Sequence, residues 1–144
     1  MFKNVEDIKT FSLAGNATLT MVSQKTGVRF TFKVTRAKDK ATNEPRDMWF
    51  VSLLNGPDNE TNYAYVGMIN GNGQFNLTGR SRFAPDTPCV KAFTFFWKFV
   101  AQNVMPPQMD VHHEGRCGRC NRKLTVPESI ENGLGPECAG KMAA

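Results

Sequence analysis

A chain of 144 residues, 40% of them hydrophobic, is long enough to bury one real core and carry a small appendage. It has no apolar run of membrane-spanning length and no signal-like apolar stretch in "MFKNVEDIKTF", which points away from a membrane and toward a cytoplasm where thiols stay reduced. The net charge of +5 is too mild for a basic tail but permits an acidic partner, nucleic acid or protein.

The first element is a short helix. Asn4 can cap it, Asp7 lies at the third helical position, Val5, Ile8 and Phe11 share one side, and Gly15 closes the turn. From Ala17 to Ser23 the chain alternates, with Ala17, Leu19 and Met21 on one face. After "QKTG" it alternates again, with Val28, Phe30, Phe32 and Val34 opposite Arg29, Thr31, Lys33 and Thr35. Period two of this kind predicts a hairpin of two half-buried strands. "RAKDKATNEPRD" (36–47) reads as a polar loop, and "MWFVSLL" as a near-continuously apolar, central strand. "NYAYVGMI" and "QFNLT" are two further strands joined by "NGNG", where Gly71 and Gly73 serve a turn and not a phosphate. In "DTPCVKAFTFFWKFVAQN" the period changes to that of a helix. Thr87 is its expected cap and Pro88 its first residue, Val90, Phe93, Phe96, Trp97, Val100 and Val104 form its stripe, and Pro106 and Pro107 stop it. Phe95 and Phe99 lie off the stripe, so the helix is expected to meet a second surface. Cys89 reads as a core residue. The expected fold is α+β: an antiparallel sheet of about five strands with a long helix packed on it, over residues 1–107.

Residues 108–144 are different. Their large apolar side chains are few, too few to offset a chain entropy of roughly 1–2 kcal/mol per ordered residue. They also carry three of the four cysteines, in "HHEGRCGRCNRKLTVPESIENGLGPEC". Cys117 and Cys120 make a C-x2-C knuckle. The seventeen-residue gap that follows fits a capping box at Thr125–Glu128, a short helix over 126–131, a turn at Asn132–Gly133 and a second helix start that returns Cys138 to the knuckle. Zn2+ takes Cys and His in a tetrahedron and can supply the missing stabilisation. His113, four residues before Cys117, is preferred over His112 as fourth ligand. Water in that position would make the metal catalytic, but Glu114 is a poor candidate for the base such a site needs.

"HEGRCGRC", "RKLTVPESI" and "GLGPEC" resemble a short zinc-binding module of unknown function found in bacteriophage and prophage proteins. Asn121 stands where that pattern prefers Gly, and "LAGNATLTMVSQKTGVRFTFKV" and "GPDNETNYAYVG" are similar to the N-terminal part of such proteins. The resemblance implies a small zinc-knuckle, treble-clef-like module and action in the cytoplasm of a bacterial host.

Neither a Ser/His/Asp arrangement nor paired carboxylates occur in a plausible site, so the expectation is a binding protein and not an enzyme. Nucleic acid is the favoured partner, with Arg29, Lys33, Arg36, Arg80 and Arg82 as contacts; Tyr63 and Tyr65 share a strand face and could stack on bases, but read first as half-buried sheet residues. The alternative is a counter-defence protein that binds and inhibits a host protein, such as a defence nuclease.

Overall fold

Strands that share an alternating pattern pair so that one apolar face is buried in common. The computed structural model describes residues 2–55, 63–114, 117–120 and 133–134. The chain runs α1 (Val5–Ser12), β1 (Asn16–Ser23), β2 (Arg29–Lys38), β3 (Pro45–Leu54), β4 (Tyr63–Asn70), β5 (Phe75–Asn76), α2 (Pro88–Val100) and β6 (Met109–His113). The strands form one sheet in the order β5-β4-β3-β2-β1-β6, and every neighbouring pair is antiparallel. The architecture is α+β, with six strands where the pattern calls for about five.

One face of the sheet makes the core. Leu19 stands opposite Phe32, Phe32 opposite Leu53, and Met21 opposite Val111, and all five are buried. Helix α2 lays Val90, Phe93, Phe96, Trp97 and Val100 on this face, and α1 adds Ile8 and Phe11. Phe93 is the hub, with ring centroids 5.0 Å from Phe32, 4.7 Å from Phe75 and 5.5 Å from Phe96. Both indoles are satisfied: Trp97 Nε1–H donates to the Gly73 carbonyl at 2.7 Å and Trp49 Nε1–H to that of Leu13 at 3.1 Å. Cys89 is buried in the core, and burial pushes its thiol above its ordinary pKa.

Several boundaries differ from the sequence pattern, each for a local reason. β2 and β3 reach into the expected loop, leaving only residues 39–44 to turn. There the Asp39 carboxylate accepts the Ala41 and Thr42 N–H groups at 2.8 and 3.1 Å, bonds that hold its pKa below the usual value, and Asn43 takes φ +60°. Asn4 caps α1 as expected, accepting the Asp7 N–H at 2.9 Å. Thr87 takes the N-cap position of α2 ahead of Pro88, as expected, but its hydroxyl donates to the Ala84 carbonyl at 2.7 Å and makes no capping bond.

The prolines do not stop α2 either. Asn103 adopts φ +59°, its N–H reaches the Val100 carbonyl at 3.0 Å, and the Val104 N–H reaches that of Phe99 at 2.9 Å. This is a Schellman ending, and it leaves Val104 46% exposed, off the expected stripe.

The strand missed by the sequence pattern is β6. It pairs with β1 from Leu19–His113 to Ser23–Met109, so the opening residues of the cysteine-rich segment are part of the main sheet. The Phe2 N–H donates to the Val111 carbonyl at 2.9 Å, and the Phe2 ring is buried. The helix expected over 126–131, the Thr125–Glu128 capping box and Cys138 lie outside the described residues. Among the described residues no helix is long and apolar enough to cross a membrane.

Candidate functional site

Alternation along β6 separates its two histidines. His113 is on the core face, its ring centroid 5.3 Å from Phe2 and 5.7 Å from Phe11. His112 stands opposite Thr20 on the other face. Its pKa is lowered, first by burial and then by the N-terminal ammonium; Asp110 opposes this, and Arg29 and His113 add smaller downward effects.

The knuckle meets the same Phe11 ring. A Cβ on Gly118 would come within 2.5 Å of Phe11 Cδ2, and so would one on Gly133, so both positions need glycine for close approach. Two backbone bonds fix the turn there: Asn16 N–H to the Gly118 carbonyl at 2.7 Å and Gly118 N–H to that of Gly133 at 2.8 Å. Cys117 is buried and Cys120 exposed. The Arg119 N–H lies 3.4 Å from Cys117 Sγ, the amide–sulfur contact that a C-x2-C turn makes. Among the described residues no group of three or more potential metal ligands is gathered. His113, Cys117 and Cys120 are all described and are not brought into one such group, and Cys138 lies outside the described residues.

The outer face of the sheet is the second candidate. Register places Thr20 opposite Thr31, Thr18 opposite Lys33, Lys33 opposite Ser52, Thr35 opposite Phe50 and Ser52 opposite Tyr65. Thr20 and Thr31 share a hydroxyl hydrogen bond of 2.8 Å. Phe50 is 38% exposed and meets Tyr65 edge-on at 6.1 Å, while Lys33 Nζ lies 5.4 Å from the Tyr63 ring centroid. The Tyr63 hydroxyl is buried near Thr18, and among the described residues no well-formed hydrogen bond reaches it. Burial and the Glu114 charge raise its pKa, and the nearby Thr18 hydroxyl offsets this only weakly.

The five basic residues singled out above do not form one patch. Arg29 and Lys33 share the outer face. Arg80 and Arg82 are exposed in the turn beside Tyr65, where the Arg82 N–H donates to the Tyr65 carbonyl at 2.9 Å and the Thr78 hydroxyl to the Tyr65 hydroxyl at 3.1 Å. Arg36 is on the opposite face. It lies over Trp49 at 5.0 Å and binds Asp47 at 2.9 Å and the Arg46 carbonyl at 2.8 Å. At the β6 end Asp110, held by Gln24 at 2.9 Å, and Glu114 bring negative charge, whereas the described outer-face residues of β3 and β4 include no carboxylate.

Residues 108–143 match a family of unknown function, DUF6011. No curated protein and no solved structure matches the chain. The matched segment is the C-terminal quarter of the sequence and begins one residue before β6. It therefore holds both histidines and three of the four cysteines, while the outer sheet face lies almost wholly outside it.

The sequence pattern misses Phe50 as a surface aromatic, because "MWFVSLL" reads as buried on both sides. The signal was the polar Ser52 two residues on: Phe50 and Ser52 share a face, and Val51 and Leu53 take the core. Phe11 is also missed as the anchor of the knuckle. Two glycines in the tail, Gly118 and Gly133, are its only trace in the sequence.

Proposed function

We propose that the chain is a zinc-containing binding protein of the kind carried by bacteriophages, acting in the host cytoplasm and binding single-stranded nucleic acid on the outer face of its sheet. The observation that carries the nucleic-acid reading is that Phe50, Tyr65, Lys33 and, toward the β6 end, Arg29 share that face, with Arg80 and Arg82 in the adjoining turn. Exposed aromatic rings stack on bases at about 1–3 kcal/mol each, and cations beside them meet phosphates. The carboxylates at the β6 end would steer a strand toward β3 and β4.

Zinc would be held by Cys117, Cys120, Cys138 and His113. The hydrogen bond from the Arg119 N–H to Cys117 Sγ and the packing of His113 and Gly118 on Phe11 support this set, and His112, on the other face, is disfavoured. The metal's role is structural: it stabilises residues that lack a core of their own. Metal analysis after zinc-replete expression should find one Zn2+ per chain, and His113→Ala should weaken binding far more than His112→Ala.

The nucleic-acid reading is tested by gel shift with generic single-stranded DNA and RNA across a salt series. Arg29→Glu with Lys33→Glu should abolish the shift and leave zinc content unchanged. Wild-type protein without salt-sensitive binding would overturn it. A host-protein target would then lead, a reading favoured by the exposed Phe95, Val104 and Met105 around the end of α2.

A further inference from the structure

Helix α2 carries two apolar strips. One fills the core; the other, Pro88, Ala92, Phe95 and Phe99, runs along the outward side at helical spacing. Phe95 is 38% exposed, and its ring meets that of Phe99 edge-on at 4.9 Å. The Schellman ending bonds the Val104 N–H to the Phe99 carbonyl, so the exposed Val104 and Met105 continue the strip past the end of the helix. Single exposed apolar residues are ordinary, but adjoining ones mark an interaction surface.

Charge selects what covers it. From Thr87 to Met109 the chain holds no carboxylate, and its only charges are Lys91 and Lys98, both exposed. Lys98 lies at the C-terminal end of the strip, its Nζ 5.8 Å from the Phe99 ring centroid. Asp86 is exposed at the other end, just before the helix. Among the described residues neither Lys98 nor Asp86 takes part in an ion pair. A strip with a free carboxylate at one end and a free ammonium at the other is complementary to its own reversed copy.

We propose that a second copy of the chain covers this strip, with α2 packed antiparallel on α2 about a two-fold axis. An axis passing between Ala92 and Phe95 sets Ala92 against the partner's Phe95 and Pro88 against the partner's Phe99. Small side chains then meet large ones in both directions, at a helix separation of about 8–10 Å. The same alignment brings Lys98 within one helical turn of the partner's Asp86, a span its flexible four-carbon stem can bridge. Because α2 lies on the inner face of its sheet, the two outer faces point away from each other. The pairing does not depend on the nucleic-acid reading; where that reading holds, the pair carries two strand-binding faces.

The full-length protein, purified free of nucleic acid, is followed by sedimentation equilibrium over a concentration series. Its mass should rise toward twice that of one chain. Phe95→Glu should hold it at the single-chain mass with an unchanged circular dichroism spectrum, since Phe95 lies outside the core. Ala92→Glu is a second, independent block and should do the same. Lys98→Glu should weaken pairing about tenfold, because two rim ion pairs become repulsive, and adding Asp86→Lys should restore it. Arg29→Glu with Lys33→Glu should leave pairing unchanged. A single-chain mass at every concentration overturns the proposal and leaves the strip to a different protein. So does a dimer that survives both Phe95→Glu and Ala92→Glu, or a charge swap that restores nothing.

Discussion

Phe32 and Thr31 are neighbours in β2, yet they belong to two different surfaces. Phe32 is buried against Phe93, and its cross-strand partners Leu19 and Leu53 are buried too. Thr31 is half-buried on the other face, its hydroxyl sharing a hydrogen bond with that of Thr20. The inner face spends its residues on stability; the outer face carries hydroxyls, cations and rings in positions where the fold does not need them. A strand of period two thus lets one segment build a core and display an interface, with little interference between the two.

Substitutions can break or sharpen this contrast. The largest effect is expected for Phe32→Ala, which should cost about 3–5 kcal/mol in chemical denaturation, since it empties a fully buried site. Next comes Gly118→Ala, where the new methyl group meets Phe11 at the junction with the knuckle. A loss of about 1–3 kcal/mol is expected, partly restored by Phe11→Leu, and measured by melting and by protease cleavage of the C-terminal segment. Thr31→Ala should cost only about 0.2–1 kcal/mol, the worth of one cross-strand pair. Arg29→Glu with Lys33→Glu should stay within about 0.5 kcal/mol of wild type in stability while losing the gel shift. If that pair proved as costly as Phe32→Ala, the two faces would not be separable.

The strands that alternate cleanly were legible before the structure was known. Leu19, Met21, Phe32 and Val34 face the core as their spacing requires, and Asn4 caps α1 by the expected bond. The failures share a cause, which is that tertiary or capping contacts outweighed local pattern. Met109–His113 has too few apolar residues to read as a strand and is one because β1 offers it an edge. Asn103 ends α2 before the prolines are reached, through a left-handed conformation that any Asn in a helical run could take or decline. Of the candidate site, the turn at Cys117–Cys120 and the shared face of Arg29 and Lys33 were legible as geometry. The removal of Arg36 to the other side was not, because it depends on the register slip between β2 and β3 and on Trp49.

β6 sets the order in which the sheet can be finished. Its partner β1 is made before β2 to β5 and α2, whereas β6 emerges only after them, so one edge of β1 waits with its amides and carbonyls unpaired. Such an edge is a template for pairing with another chain. A nascent chain halted at residue 107 would hold most of the buried residues of the finished sheet and still present a strand-sized opening, which the arrival of residues 109–113, together with Phe2, closes.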